Sequence, residues 1–135
     1  RWHGHVAGAA LQISLLCDLR IAAEDARVGM TEINLGMPVL IGSTLLSAVI
    51  GEGAMRRLIL YADFLDGVES HRIGLATEVH PVEALDARKL VSRNPDALRV
   101  TRQGWTDTHA GWFDQMFEQA QRLRIRTKPI IPKNA

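Results

Sequence analysis

Gly4-His5-Val6-Ala7-Gly8-Ala9-Ala10-Leu11-Gln12-Ile13-Ser14-Leu15-Leu16-Cys17-Asp18-Leu19-Arg20-Ile21-Ala22-Ala23 changes periodicity twice in twenty residues. Trp2 to Val6 has the composition of a short strand. Gly8-Ala9-Ala10 is a turn of small residues, and the apolar run Leu11 to Cys17 behind it predicts a buried helix ended by Asp18. Leu19 to Ala23 then alternates, which predicts a second strand partly exposed on its Arg20 side. Strand, turn, helix and strand in this order give an α/β class.

The same signals extend outward. Glu24-Asp25 is a turn and Arg27-Val28-Gly29 a further short strand. Met30 to Leu40 holds Gly36 and Pro38, lacks a clean period and reads as a loop. Thr44 to Ile50 predicts a helix stopped by Gly51. Glu52 to Tyr61 predicts another, with Ala54, Leu58 and Tyr61 on one face. Asp66 is placed as the N-cap of a helix from Gly67 to Ile73, with Glu69 three positions on as in a capping box. Ala76 to Val79 predicts a strand and Pro81 opens a helix to about Val91. Asn94-Pro95 starts a helix to about Gln103, Trp105 to Trp112 has no decisive pattern, and Phe113, Phe117, Ala120 and Leu123 mark an amphipathic helix. The tail Arg124 to Ala135 is basic and carries Pro129 and Pro132, so it reads as extended. Two parts are expected, a core of residues 1–92 and a helical segment with its tail at 93–135.

The bulk numbers narrow the function classes. The 135 residues are 47% apolar and 23% charged, an ordinary globular composition. A net charge of +1 gives no electrostatic footprint for nucleic acid. The lone Cys17 excludes an internal disulfide and fits a reducing, cytoplasmic setting. No run approaches the roughly 20 apolar residues of a membrane helix. The chain opens Arg1-Trp2-His3-Gly4, without an initiator Met or signal-peptide pattern, and is expected to be a fragment or a processed chain.

Three places carry candidate chemistry. Small residues at Gly8-Ala9-Ala10 let a ligand approach free amides of a first helical turn, the physics of an oxyanion hole; close helix–sheet packing is the plainer alternative. Gln12 interrupts an apolar run and needs partners if buried, although an amide is no general base. Glu32 stands among apolar neighbours in Met30-Thr31-Glu32-Ile33-Asn34-Leu35-Gly36, where a carboxylate suits proton transfer; a surface turn is the plainer alternative. His3-x-His5 puts two imidazoles on one strand face but finds no third ligand at metal spacing, so no metal is expected.

Taken in order, Gly4-x-Val6-x-Gly8-Ala9-Ala10, Cys17-Asp18-Leu19-Arg20-Ile21-Ala22 and Ala26-Arg27-Val28-Gly29-x-x-Glu32-Ile33-Asn34-Leu35-Gly36 resemble the enoyl-CoA hydratase/isomerase (crotonase) superfamily. The resemblance continues through Gly51-Glu52-Gly53-Ala54-x-Arg56-Arg57-Leu58-Ile59-Leu60 and Ile73-Gly74-Leu75-Ala76-Thr77-Glu78-Val79-His80-Pro81, and weakens after about Ala87. It implies a partial crotonase-like β-β-α superhelix with C-terminal helices, corresponding to the C-terminal half of the domain. It also implies an acyl-CoA thioester as substrate, no tightly bound cofactor beyond the coenzyme A of that substrate, and a homotrimer or hexamer.

The resemblance assigns roles residue by residue. One oxyanion-hole amide falls on Ala9, where the family usually has Gly, and the other comes from an earlier segment. Gly8, Ala10, Val39 and Leu40 fall at substrate-binding positions. Of the two carboxylates of the family's hydratases, Glu32 is kept and Gln12 stands in place of the other. One carboxylate suffices to move a proton between two carbons of an acyl chain, so the expected chemistry is double-bond isomerisation. Enoyl-CoA hydration and a non-catalytic acyl-CoA-binding or oligomeric homologue are the alternatives. Val39 and Leu40 replace a Pro-Gly pair, and Ser43 replaces a Gly, in the loop that shapes the acyl pocket.

Overall fold

Four three-residue strands are interspersed with helices in the computed structural model, which describes residues 1–85, 88 and 93–122, the side chains of 108, 109, 113 and 120 excepted. Residues Arg1–Leu85 belong to one unit and the described residues beyond them to a second. In the first unit β1 (His5–Ala7) pairs with β3 (Arg27–Gly29), and β2 (Ile21–Ala23) with β4 (Glu78–His80), both in parallel. Trp2 ties the pairs together: its N–H donates to the Ile21 carbonyl at 2.8 Å and its carbonyl accepts from Ala23 N–H at 2.8 Å. The first strand is therefore shorter than the expected 2–6, with a separate bridge at Trp2. The fourth lies two residues later than expected at its start.

Between β1 and β2 runs α1 (Ala9–Ser14). It starts inside the turn expected at residues 8–10 and ends before Cys17. Gly8 has φ 55°, which reverses the chain at once and lets the helix begin at Ala9. Leu11 and Leu15 are buried while Ile13 and Leu16 face outward, so the helix is one-sided rather than buried throughout. Leu11, Val28, Met30, Leu46 and Leu75 are fully enclosed and make the core of this unit.

Arg20 overturns the reading of a partly exposed strand face. It is 9% exposed. Its Nε donates to the Leu75 carbonyl at 2.7 Å and an η nitrogen donates to the Cys17 carbonyl at 2.9 Å. Thr77 closes the link, its hydroxyl accepting from Arg20 N–H and donating to the Arg20 carbonyl. Burial pushes the guanidinium pKa below its ordinary value, but the group stays charged because arginine starts so high. Arg20 thus pins the start of β2 to the segment entering β4. Arg20→Met keeps the apolar stem and leaves two carbonyls without their donor. We expect a loss of about 2 kcal/mol, read as a lowered urea midpoint at unchanged slope.

The loop from Met30 to Leu40 contains a single 3₁₀ turn, Glu32–Leu35. Next comes α2 (Ile41–Tyr61), which is broken at Gly51 with φ 77° and ψ 162°. The two helices expected on either side of Gly51 are both present, the first beginning three residues before Thr44. Asp66 caps α3 (Gly67–Arg72) by accepting from Glu69 N–H at 2.7 Å. The Glu69 side chain does not complete the box. It turns to Arg72, whose hydrogen bonds hold its carboxyl below the usual carboxylate range. That small contribution is complete at neutral pH and is lost as pH falls through the lowered value.

Pro81 is followed by a 3₁₀ turn, Val82–Ala84, and an extended Leu85, so the helix expected from 81 to 91 does not run through this point. In the second unit α4 (Pro95–Arg122) is one helix of 28 residues, where separate segments were expected. Asn94 accepts from Ala97 N–H at 3.0 Å and sets its start. Phe117 on this helix is 53% exposed. The side chains of Phe113 and Ala120, together with Leu123 and the basic tail, lie outside the described residues. No described helix is long and apolar enough to cross a membrane.

Candidate active site

The register of β1 against β3 sets Ala7 opposite Gly29. The residues that follow each strand, Gly8 and Met30, therefore emerge side by side at the carboxyl ends of two parallel strands, where α/β proteins bind ligands. Gly8 N–H donates to the Gly29 carbonyl at 3.2 Å, and the Gly8 carbonyl accepts from Gln12 N–H at 3.0 Å. Gln12 thus sits one helical turn beyond Gly8 and on the same side of α1. From there its side chain reaches the 3₁₀ turn behind β3, where Nε2 donates to Glu32 Oε1 at 2.9 Å.

The carboxylate lies directly over Gly8. A Cβ at Gly8 would stand 3.3 Å from Glu32 Oε1, 3.5 Å from Cδ and 3.9 Å from Oε2. The next residue is Ala9, in the first turn of α1, whose backbone N–H has no acceptor within its own helix. Ala9 and Ala10 are exposed; Gly8, Gln12 and Glu32 are half-buried. Glu32 Oε2 is buried and has no hydrogen-bond partner among the described residues. Such an atom is costly and calls for an explanation, and a reacting group is one.

Beneath this pair lies Gly42, in the first turn of α2. A Cβ there would come within 2.6 Å of Met30 Cε, 2.8 Å of Val39 Cγ1 and 3.1 Å of Gln12 Cδ. Three side chains from three segments therefore close on one bare α carbon. The structure brings Gly8, Gln12, Glu32 and Val39 into one site through it. Leu40 takes the N-cap position of α2, half-buried, with its carbonyl accepting from Ser43 Oγ at 2.7 Å. Sequence reasoning about the site missed Met30 and Gly42. Gly42 carried a weak signal, as a glycine just before the helix expected from Thr44. Met30 carried none. Among the described residues no group of three or more His, Cys, Asp or Glu could hold a metal ion.

Comparison with known proteins places this arrangement. The enoyl-CoA hydratase/isomerase family model matches residues 2–108. A short-chain-enoyl-CoA hydratase of Clostridium acetobutylicum is 35% identical over 108 residues, covering 75% of this chain and 41% of that protein. A 2,3-dehydroadipyl-CoA hydratase of Escherichia coli K12 is 32% identical over 108 residues, covering 75% and 42%. The chain thus spans about two fifths of the length of these relatives. Among solved structures, ThnE from S. clavuligerus superposes with a TM-score of 0.81 at 27% identity, covering 88% of this chain and 62% of that one. An enoyl-CoA hydratase from Mycobacterium paratuberculosis superposes with a TM-score of 0.78 at 29% identity, covering 90% and 58%. The fold is a partial crotonase fold. Because the family model matches residues 2–108, which include the turn, the helix behind it and the carboxylate loop, the chain belongs to the enoyl-CoA hydratase/isomerase family.

Proposed function

We propose that this chain carries enolate chemistry on an acyl-CoA thioester, in the form of double-bond isomerisation by a single carboxylate. One observation carries the reading: the side chain that meets Glu32 is an amide, Gln12, at 2.9 Å, where a two-carboxylate mechanism needs a second acid. Glu32 takes a proton from the α carbon of a 3-enoyl thioester. The electron pair moves to the thioester oxygen as a dienolate, held by the Ala9 N–H and by a second donor. Glu32 then returns the proton to the γ carbon, and the double bond ends between the α and β carbons. Gly8 and Ala10 leave room for the thioester, and Val39 and Leu40 border the acyl group. Coenzyme A enters as part of the substrate, and proton transfer needs no other cofactor. The same reading has residues 1–92 carrying the chemistry, 93–135 supplying a helical segment and basic tail, and the protein acting in the cytoplasm as a homotrimer or hexamer.

Hydration is the second reading, favoured by the names of the relatives, which are hydratases. Two assays on the full chain separate them. The isomerase reading expects proton–deuterium exchange at both the α and γ carbons of a 3-enoyl-CoA, and little water addition to a 2-enoyl-CoA. Gln12→Glu installs the second carboxyl, and hydration is then expected to rise about tenfold or more. Wild-type protein that hydrates as fast as Gln12→Glu and does not exchange the γ proton overturns isomerisation. Acyl-CoA binding with neither activity points to a non-catalytic homologue.

A further inference from the structure

The Gln12 amide touches one oxygen of Glu32, at 2.9 Å, and leaves the other buried without a partner among the described residues. A carboxylate with equivalent oxygens rotates about its Cγ–Cδ bond, and a base that must address two carbons gains from having one oxygen fixed. The amide can do this only because of its own setting. Its Cδ lies against the bare α carbon of Gly42, which Met30 Cε and Val39 Cγ1 approach as well. Its helix is anchored below by buried Leu11 and Leu15.

We propose that Gln12 is a positioning residue: its side-chain N–H holds Glu32 Oε1 and so fixes the orientation of the carboxylate that takes the proton from one carbon and returns it to the next. This rests on the proton-shuttle reading above and adds to it a residue that sets the orientation of the base. It also gives Gln12 a role that a second carboxylic acid fills badly. Two carboxyls in contact share a proton, and the shared proton occupies the base.

The test is Gln12→Met on the full chain, which keeps the length and apolar packing of the side chain and removes the donor. Losing a hydrogen bond to a charged group lowers the exchange turnover about ten- to hundredfold. KM for the 3-enoyl-CoA is expected to stay within about threefold, because the lost donor is one that bonds Glu32. Turnover in Gln12→Met within about twofold of wild type overturns the positioning role and leaves the shuttle standing. Absence of exchange in the wild type, or its survival in Glu32→Gln, overturns the shuttle and the positioning role with it. A readout that does not depend on how Gln12→Met folds is the side-chain amide of Gln12 in the wild type. It is expected to exchange with solvent slowly, and faster in Glu32→Ala; equal rates overturn the contact.

Discussion

Glu32→Gln is expected to abolish proton exchange between the α and γ carbons of a 3-enoyl-CoA, by about 10³-fold or more, since a positioned general base supplies 10²–10⁴ and here no second carboxylate shares the work. The substitution is nearly isosteric. Its carbonyl oxygen still accepts from Gln12 Nε2, so the 2.9 Å contact survives with a neutral acceptor. Only the ability to hold a proton is removed. KM is therefore expected to change little while turnover collapses, and the melting temperature is expected to move by no more than about 3 °C. Loss of turnover with an unchanged melting curve identifies a chemical role. An equal fall in both means that Glu32 holds the loop together. Unchanged exchange in this variant removes Glu32 from the mechanism and places the base on another segment.

What the sequence could show about this site follows from which interactions are local. The turn, the helix behind it and the carboxylate loop each occupy a contiguous stretch, so their order was readable as family blocks. That Gln12 and Glu32 touch is a different kind of fact. It follows from the β1–β3 register, which sets Ala7 opposite Gly29, and no pattern within either segment encodes it. Arg20 illustrates the same limit. Alternation placed it on a partly exposed side, but its partner is a carbonyl 55 residues away. A long side chain reaching back under the sheet satisfies buried carbonyls that a local period cannot foresee. In α4 the error ran the other way. Gly104, Gly111 and a run of mixed residues hid the period, and a helix of 28 residues carried through them all the same. Glycine in a helix costs only about 1 kcal/mol, which a long helix absorbs.

In the proposed reading the loop at Val39 and Leu40 borders the acyl group. Val39 and Leu40 stand where the family's Pro-Gly pair was expected. Val39 Cγ1 would lie 2.8 Å from a Cβ at Gly42, so the valine is packed inward. Its contact is with the same α carbon that supports Gln12. A change at Val39 therefore acts on the support of the amide as well as on the space beside it. In the proposed reading the space beside the acyl group and the position of Glu32 are for this reason coupled through Gly42, and mutational effects at Gln12 and Val39 are not expected to add.

Gly67→Ala supplies the largest expected effect on stability, with a sign opposite to that of helix propensity. Gly67 is the first residue of α3, where alanine would ordinarily be the better helix former. A Cβ here would come within 1.9 Å of the Ala23 carbonyl oxygen and 2.8 Å of its carbon. These are backbone atoms at the end of β2, so no rotamer change relieves the clash. The helix must back away from the strand. Gly67 N–H, which donates to the Glu24 carbonyl at 3.0 Å, and Glu24 N–H, which donates to the His80 carbonyl at 3.0 Å, are strained in the same movement. Overpacking against rigid neighbours costs about 3 kcal/mol, or a melting temperature lower by about 10 °C. The control is Gly53→Ala in α2, where a Cβ meets nothing within 4 Å. There propensity acts alone, and a gain of about 0.5–1 kcal/mol is expected. If Gly67→Ala is neutral or stabilising in thermal unfolding, the close approach of α3 to β2 does not exist in solution, and the seating of β2 beside β4 would need revision.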